Sequence, residues 1–270
     1  MNHTEKRKYL INWLLNESEQ YRGMEIPEGE GEQKRLLRAL MNVRMPASAD
    51  KEFLAVQDEY LQEALKERGV VDVAALEPVE MINRGDGAVS DQAGMYIWQG
   101  DITRLNADAI VNAANSQMCG CFVPNHTCID NCIHTYAGIQ LRKKCGDIMR
   151  AQGHEEETGK AKITPAYNLP CKYVLHTVGP IVQGRLTKEH ERLLASCYTS
   201  CLKLAAENNL ESAAFCCIST GVFMFPNERA AEIAVETVRE FLKKDTSVKK
   251  VIFNVFKDSD LDIYQNVLVR

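Results

Sequence analysis

The stretch SAAFCCISTGVFMFPNERAAEIAVETVREFLKK, residues 212–244, decides the fold. It opens on an apolar run too short for a helix, turns through Ser219-Thr220-Gly221, and then takes up a 3.6-residue period. Ala231, Val235, Val238 and Leu242 recur on one face of that second half, and Asn227, after Pro226, is the expected N-cap. A strand feeding a helix in this way is half of a βαβ unit, and the pattern repeats. The short apolar runs MYIW (95–98), ADAIVNAA (107–114), KYVLHTV (172–178) and KKVIFNVF (249–256) alternate with helical segments such as TKEHERLLASCYTSCLKLAAENN (187–209). The alternation predicts an α/β domain of three layers around a mixed, mostly parallel sheet. Ligands in such sheets bind beyond the carboxyl ends of the strands, which singles out the loops after DAIVNAAN and after FCCIST.

The first 82 residues have a different texture. Tyr9, Leu10, Trp13 and Leu14 share one stripe, a second helical segment follows the Pro27/Gly29/Gly31 break, and Phe53, Val56, Tyr60 and Ala64 mark a third that stops at Gly69. Residues 1–82 are therefore expected to form a helical extension. The stretch NRGDGAVSDQAG, 83–94, has the composition of a linker, and 95–270 form the α/β domain.

Composition narrows the function. Residues 1–90 hold 12 Lys/Arg against 17 Asp/Glu, whereas 91–270 hold 20 of each, so neither part has the basic surplus of a nucleic-acid binder. No apolar run nears the ~18 residues of a membrane span. Asn12, Asn16 and Glu17 interrupt the N-terminal apolar patch, which reads as a helix of a cytoplasmic protein and not a leader. All ten cysteines lie at or after position 119, and without a secretion signal they are expected as free thiols or metal ligands. Cys197, Cys201, Cys216 and Cys217 sit in apolar or helical patterns and read as buried structural thiols. With no heptad seam, a monomer is expected.

Three segments carry polar residues where chemistry is expected. In GDITRLNADAIVNAAN, Asp101 follows an apolar run, and Asn112 and Asn115 stand at a strand end; the bland alternative is a turn capped by the carboxamides. In STGVFMFP, Gly221 lets the backbone approach an anion while Phe223 and Phe225 shield it; a turn with a packed aromatic explains the same residues. The third is QMCGCFVPNHTCIDNCIH, 117–134, with four cysteines and two histidines.

The motifs GDIT, IVNAAN, CIDNCIH, HTVGP and STGVFMFP together resemble, in order and spacing, the macrodomain family, whose members bind ADP-ribose; the likeness covers roughly residues 90–270. The chain resembles the MacroD-type branch, which removes ADP-ribose from proteins. It departs from that branch where CGCFVPNHTCID replaces a glycine-rich loop, a departure similar to the zinc-dependent macrodomains of microbes, which also carry an N-terminal helical extension. The resemblance implies that Asp101 meets the adenine amino group with the Ile102 backbone beside it, and that Phe256 stacks on adenine. It implies a phosphate loop at Ser219, Thr220, Gly221, Val222 and Phe223, with Met224 where the family has glycine. Asn115 would sit at the distal ribose, and Cys128, Ile129 and Asp130, the last opening the helix DNCIHTYAGIQLRKKC, near the phosphates and that ribose.

Zinc favours thiolate and imidazole, and Cys121, His126 and Cys128 give a C-x4-H-x-C loop able to wrap one Zn2+. Cys132 and His134, two apart in a helix, face different ways. Cys119 competes as a fourth ligand, which would close the site and make it structural. The expected activity is a zinc-dependent hydrolase that frees mono-ADP-ribose from a protein side chain, an Asp or Glu ester, with Asn115 and Asp130 as catalytic groups. The alternatives are an ADP-ribose reader with a structural zinc and a zinc-knot adaptor, the latter lacking a basic face. The resemblance further implies a sirtuin-type transferase as counterpart and a lipoylated carrier protein as substrate.

Overall fold

The structure is a computed structural model and describes residues 1–84, 92–244 and 246–268. Three helices come first: α1 (His3–Glu17), α2 (Glu30–Val43) and α3 (Lys51–Arg68). Asn2 caps α1 in a full capping box, Asp50 caps α3 by accepting from Phe53 N, and Gly69 ends α3 at φ 76°. Leu10, Ile11, Leu14, Leu15, Leu37, Leu40, Phe53, Val56 and Leu61 close on one another as a core of their own, and Ile139 from the following domain completes it.

The α/β part comprises β1 (Glu80–Asn83), β2 (Gln92–Gln99), β3 (Ala109–Ala114), α4 (Ile129–Ala137), α5 (Ile139–Gln152), β4 (Ala161–Pro165), β5 (Tyr173–Val178), α6 (Lys188–Glu207), β6 (Ser212–Phe215), α7 (Asn227–Leu242), β7 (Lys250–Val255) and α8 (Asp258–Leu268). The seven strands lie in the order β1-β2-β7-β6-β3-β5-β4. The inner pairings are all parallel; β1 on β2 and β4 on β5 are antiparallel. Strands β3, β5, β6 and β7 are buried almost throughout, as parallel strands covered on both faces must be. Helix α6 packs on α7 and α7 on α8, while α4 packs on α5 and receives α2. The expected three-layer fold with a mixed, mostly parallel sheet is the one observed.

Three local expectations change. Of the stretch read as a linker, residues 85–91 lie outside the described residues, while Asn83 pairs with Gln92 and residues 92–94 already belong to β2. The helix expected from Asp130 onward breaks at Gly138, which takes φ 93°; a Cβ there would stand 2.7 Å from Gln57 Nε2. Pro226 occupies the N-cap position of α7, which has no side-chain cap bond, and Asn227 is the first helical residue, its amide donating to Asp260 Oδ1 at 2.7 Å. Cys197, Cys201 and Cys216 are buried in the main core, as expected of structural thiols.

Candidate active site

Five parallel strands end at one edge of the sheet and set the expected site residues side by side. Asp101 follows β2, Phe256 follows β7, Ser219 lies just past β6, Asn115 follows β3 and Gly179 follows β5. From β2 to β3 is three strand spacings, about 14 Å. An elongated ligand laid along this edge would meet Asp101 and Phe256 at one end and Asn115 at the other.

At the β2 end, Asp101 caps a short 3-10 turn, Ile102–Arg104. Its Oδ1 accepts from Thr103 N at 3.0 Å and Thr103 Oγ1 at 2.6 Å. Its Oδ2 accepts from Arg68 Nη1 of α3 at 3.1 Å, and the Arg68 guanidinium lies 3.6 Å over the Tyr136 ring. Ile102 is buried behind it. Phe256 is 76% exposed.

Past β6 the chain turns back on itself. Thr220 Oγ1 donates to Cys217 O at 3.0 Å, Met224 N to Gly221 O at 3.0 Å and Phe225 N to Ser219 O at 3.0 Å. Ser219 and Met224 both take left-handed backbone, φ 66° and 54°, so Met224 adopts the conformation the resemblance reserves for glycine. Phe225 is buried in the core, Phe223 is half-buried and tied through its carbonyl to Val182 N, and Val222 is exposed. Of the two shielding aromatics, Phe225 therefore braces the loop from beneath.

Asn115 Oδ1 accepts from Gln117 N at 3.0 Å and Met118 N at 3.1 Å, and its Nδ2 donates to Gly120 O at 3.2 Å. Its carboxamide thus builds the turn that launches the cysteine loop. Gly120, at φ 83°, brings that loop against His134, where a Cβ would lie 2.8 Å from the imidazole ring.

In the loop itself, the ligand atoms of Cys121, His126 and Cys128 all lie within 4.8 Å of one another. Cys121 Sγ is 3.5 Å from His126 Nδ1. Two ligands on one tetrahedral zinc, at about 2.3 Å for sulfur and 2.0 Å for nitrogen, stand about 3.5 Å apart, so this pair already has the separation an ion needs. The donor set fits zinc. Cys119 does not join it; its Sγ sits near Gly146 of α5. Cys132 turns toward Arg38 and Thr127 O, and His134 is buried 3.5 Å from Asp130, so these two do face apart.

Cys128 is the N-cap of α4, its Sγ accepting from Asn131 N at 3.4 Å, and Asp130 lies in the first turn. Burial pushes the Cys128 thiol up to about 12, and a bound cation would reverse that preference. Burial also raises Asp130, to about 6, against the opposing Asn112 hydrogen bond and the Arg142 charge.

Behind Asp130 is a polar network that the sequence did not disclose. Asn112 Nδ2 donates to Asp130 Oδ1 at 2.8 Å and approaches His176 Nδ1 at 3.2 Å. His176 Nε2 meets Thr164 Oγ1 at 2.9 Å; because the Asn112 amide nitrogen can only donate, Nδ1 is the acceptor and Nε2 carries the proton toward Thr164. Asn112, expected at a strand end, lies inside the buried strand β3 instead; nothing marked the histidine of HTVGP as its neighbour.

Residues 111–234 match the family model described as Macro domain. The chain is 57% identical over 268 residues to the protein-ADP-ribose hydrolase of Treponema medium, covering 99% of this chain and all of that one. It is 48% identical over 264 residues to a protein of the same description from Staphylococcus aureus, covering 97% of this chain and 95% of the other. Its fold is similar to the Trypanosoma brucei macrodomain in complex with ADP, at TM-score 0.64 and 29% identity, covering 86% of this chain and 96% of that one. Similarity to these relatives along nearly the whole length, on the sheet and loops just described, makes the chain a member of the macrodomain family.

Proposed function

We propose that this chain is a zinc-dependent hydrolase that frees mono-ADP-ribose from modified protein side chains, reversing their modification. The observation that carries the reading is the convergence of Cys121, His126 and Cys128 on one point, with Cys128 capping the helix that presents Asp130. The relatives from Treponema medium and Staphylococcus aureus, named for hydrolysis of protein-linked ADP-ribose, support the removal of ADP-ribose from proteins. Zinc and the ester specificity are our own finer reading.

Asp101 and the Ile102 backbone receive the adenine amino edge, and the Phe256 ring stacks on the base. The Ser219–Phe223 loop wraps the diphosphate with backbone amides. Asn115 holds the turn at the distal ribose, and Asp130 orients the attacking water and accepts its proton. Cys121, His126 and Cys128 would hold Zn2+, which would supply Lewis-acid polarisation at the substrate. Burial raises Asp130 to about 6, toward the range in which a carboxylate exchanges protons near neutral pH. An Asp or Glu ester fits such a site, because a carboxylate leaves as a stable anion and needs no proton from an acid.

The test measures zinc per chain and release of ADP-ribose from an aspartate- or glutamate-modified acceptor, a lipoylated carrier protein among them, with and without chelator. Loss of hydrolysis on chelation and in Cys121→Ala, with the circular dichroism spectrum intact, is the expected result. Hydrolysis surviving both sinks the zinc role. ADP-ribose bound without turnover would instead identify a reader with a structural zinc.

A further inference from the structure

The metal loop has almost no secondary structure of its own. From Cys119 to Cys128 it forms neither helix nor strand, and among the described residues the one backbone–backbone bond with both ends inside it is His126 N to Val123 O at 3.2 Å. A loop so poor in internal bonds does not hold three ligands in register by itself.

What holds it comes from α2, some ninety residues upstream. Asn42 is 1% exposed; its Oδ1 accepts from Asn125 N at 2.9 Å, and its Nδ2 donates to Thr135 Oγ1 of α4 at 3.0 Å. Asn125 takes left-handed backbone, φ 56°, immediately before the ligand His126. One turn earlier on the same face, Arg38 Nη2 donates to His126 O at 2.7 Å and to Asn131 Oδ1 at 3.0 Å. Asn131, so oriented, donates to Val123 O at 3.0 Å and Cys121 O at 3.4 Å. Arg142 of α5 joins the two ends. Its Nη1 binds the carbonyls of Met41, Asn42 and Arg44, where α2 runs out of partners, and its Nη2 donates to Cys121 O at 3.2 Å. The backbone at positions 121, 123, 125 and 126 is thus gripped, directly or through one side chain, by the end of α2.

We infer that α2 of the N-terminal extension presets the zinc loop, with Arg38 and Asn42 as positioning residues for His126 and Cys121. The inference rests on the zinc reading above. It gives the extension a defined task at the site: to hold three ligands converged before the ion arrives, so that binding does not have to order the loop.

The experiment uses the full chain and its Arg38→Ala, Asn42→Ala and Arg35→Ala variants; Arg35 is exposed on the same helix. Zinc affinity is read by competition with a chromogenic chelator, zinc release by its rate into excess chelator, and metal-free stability by thermal unfolding in EDTA. Arg38→Ala and Asn42→Ala should each weaken zinc about 10- to 100-fold and hasten its release, while Arg35→Ala matches the parent. ADP binding should be unchanged in Arg38→Ala, and its metal-free melting close to the parent's. If Asn42→Ala lowers metal-free melting, Arg38→Ala, whose side chain is only half-buried, decides alone. Unchanged zinc affinity in Arg38→Ala overturns the inference and leaves the zinc reading standing. A parent chain that takes up no zinc overturns both.

Discussion

Acidification should weaken this fold through His176, by an amount that follows from its burial. The imidazole has no exposed surface, and burial drives its pKa down to about 3. Asn112 from β3, Thr164 from β4 and Cys145 from α5 face it; His134 from α4 lies 6.1 Å away between ring centroids, and Asp130 stands beyond Asn112. In the unfolded chain a histidine titrates near 6.5, so below that value the unfolded state binds the extra proton and stability falls toward pH 3. At 1.36 kcal/mol per pH unit, this one group costs about 2 kcal/mol at pH 5 and only about 0.2 at pH 7. Asp130 acts with the opposite sign. Its folded pKa of about 6 lies above the ordinary 3.8, so its contribution to stability grows as pH falls from about 6 to 4 and offsets roughly 1 kcal/mol at pH 5. His134, which burial also holds well below the usual histidine range, adds to the His176 effect, so the parent alone mixes several groups and the comparison must be with His176→Gln. Glutamine keeps polar atoms for Asn112 and Thr164 but takes no proton. Urea unfolding at pH 7 and pH 5 should show the parent losing about 2 kcal/mol relative to His176→Gln over that interval. Parallel stabilities across both pH values would refute the assignment of a buried, neutral His176.

Phe256→Ala should leave stability within about 0.5 kcal/mol, because the ring is exposed, yet weaken ADP-ribose binding roughly 2- to 10-fold by titration calorimetry, the worth of one stacked ring. Undiminished affinity would remove Phe256 from the adenine site. Met224→Gly should relieve about 1 kcal/mol of left-handed strain at an exposed position and raise the thermal midpoint by a few degrees; a lower midpoint would show that the Met224 side chain stabilises the loop by contact.

The strands visible as apolar runs were β2, β3, β5, β6 and β7, and the reason is physical: the parallel strands of a covered sheet are buried on both faces and read as unbroken hydrophobic stretches. The edge strands EMIN and AKITP, half polar and four or five residues long, carry no such signature. The break at Gly138 was hidden because its cause is tertiary: Gln57 of the extension fills the space a side chain would need. The spacing of Cys121, His126 and Cys128 was legible as three donor atoms that could meet, and they do lie together. The separation of Cys119 from it depends on how the Asn115 turn and Gly120 fold back, and residue identity alone does not encode that. Arg38, Asn42 and Arg68 looked like ordinary helical polar residues, since hydrogen bonds to partners far along the chain leave no periodic trace.

Ile139 opens α5, yet its side chain belongs to the core of α1–α3, and its backbone N–H donates to Gln57 Oε1 at 3.0 Å. Together with Gln140, which is bonded to Gln57 and Asp58, it makes the first turn of α5 a shared possession of both parts of the chain. Removing the three leading helices would therefore uncover Ile139 and leave Gln140 without its partners on α3. A chimera that joins this α/β body to a foreign leader should therefore inherit an exposed apolar scar at the start of α5.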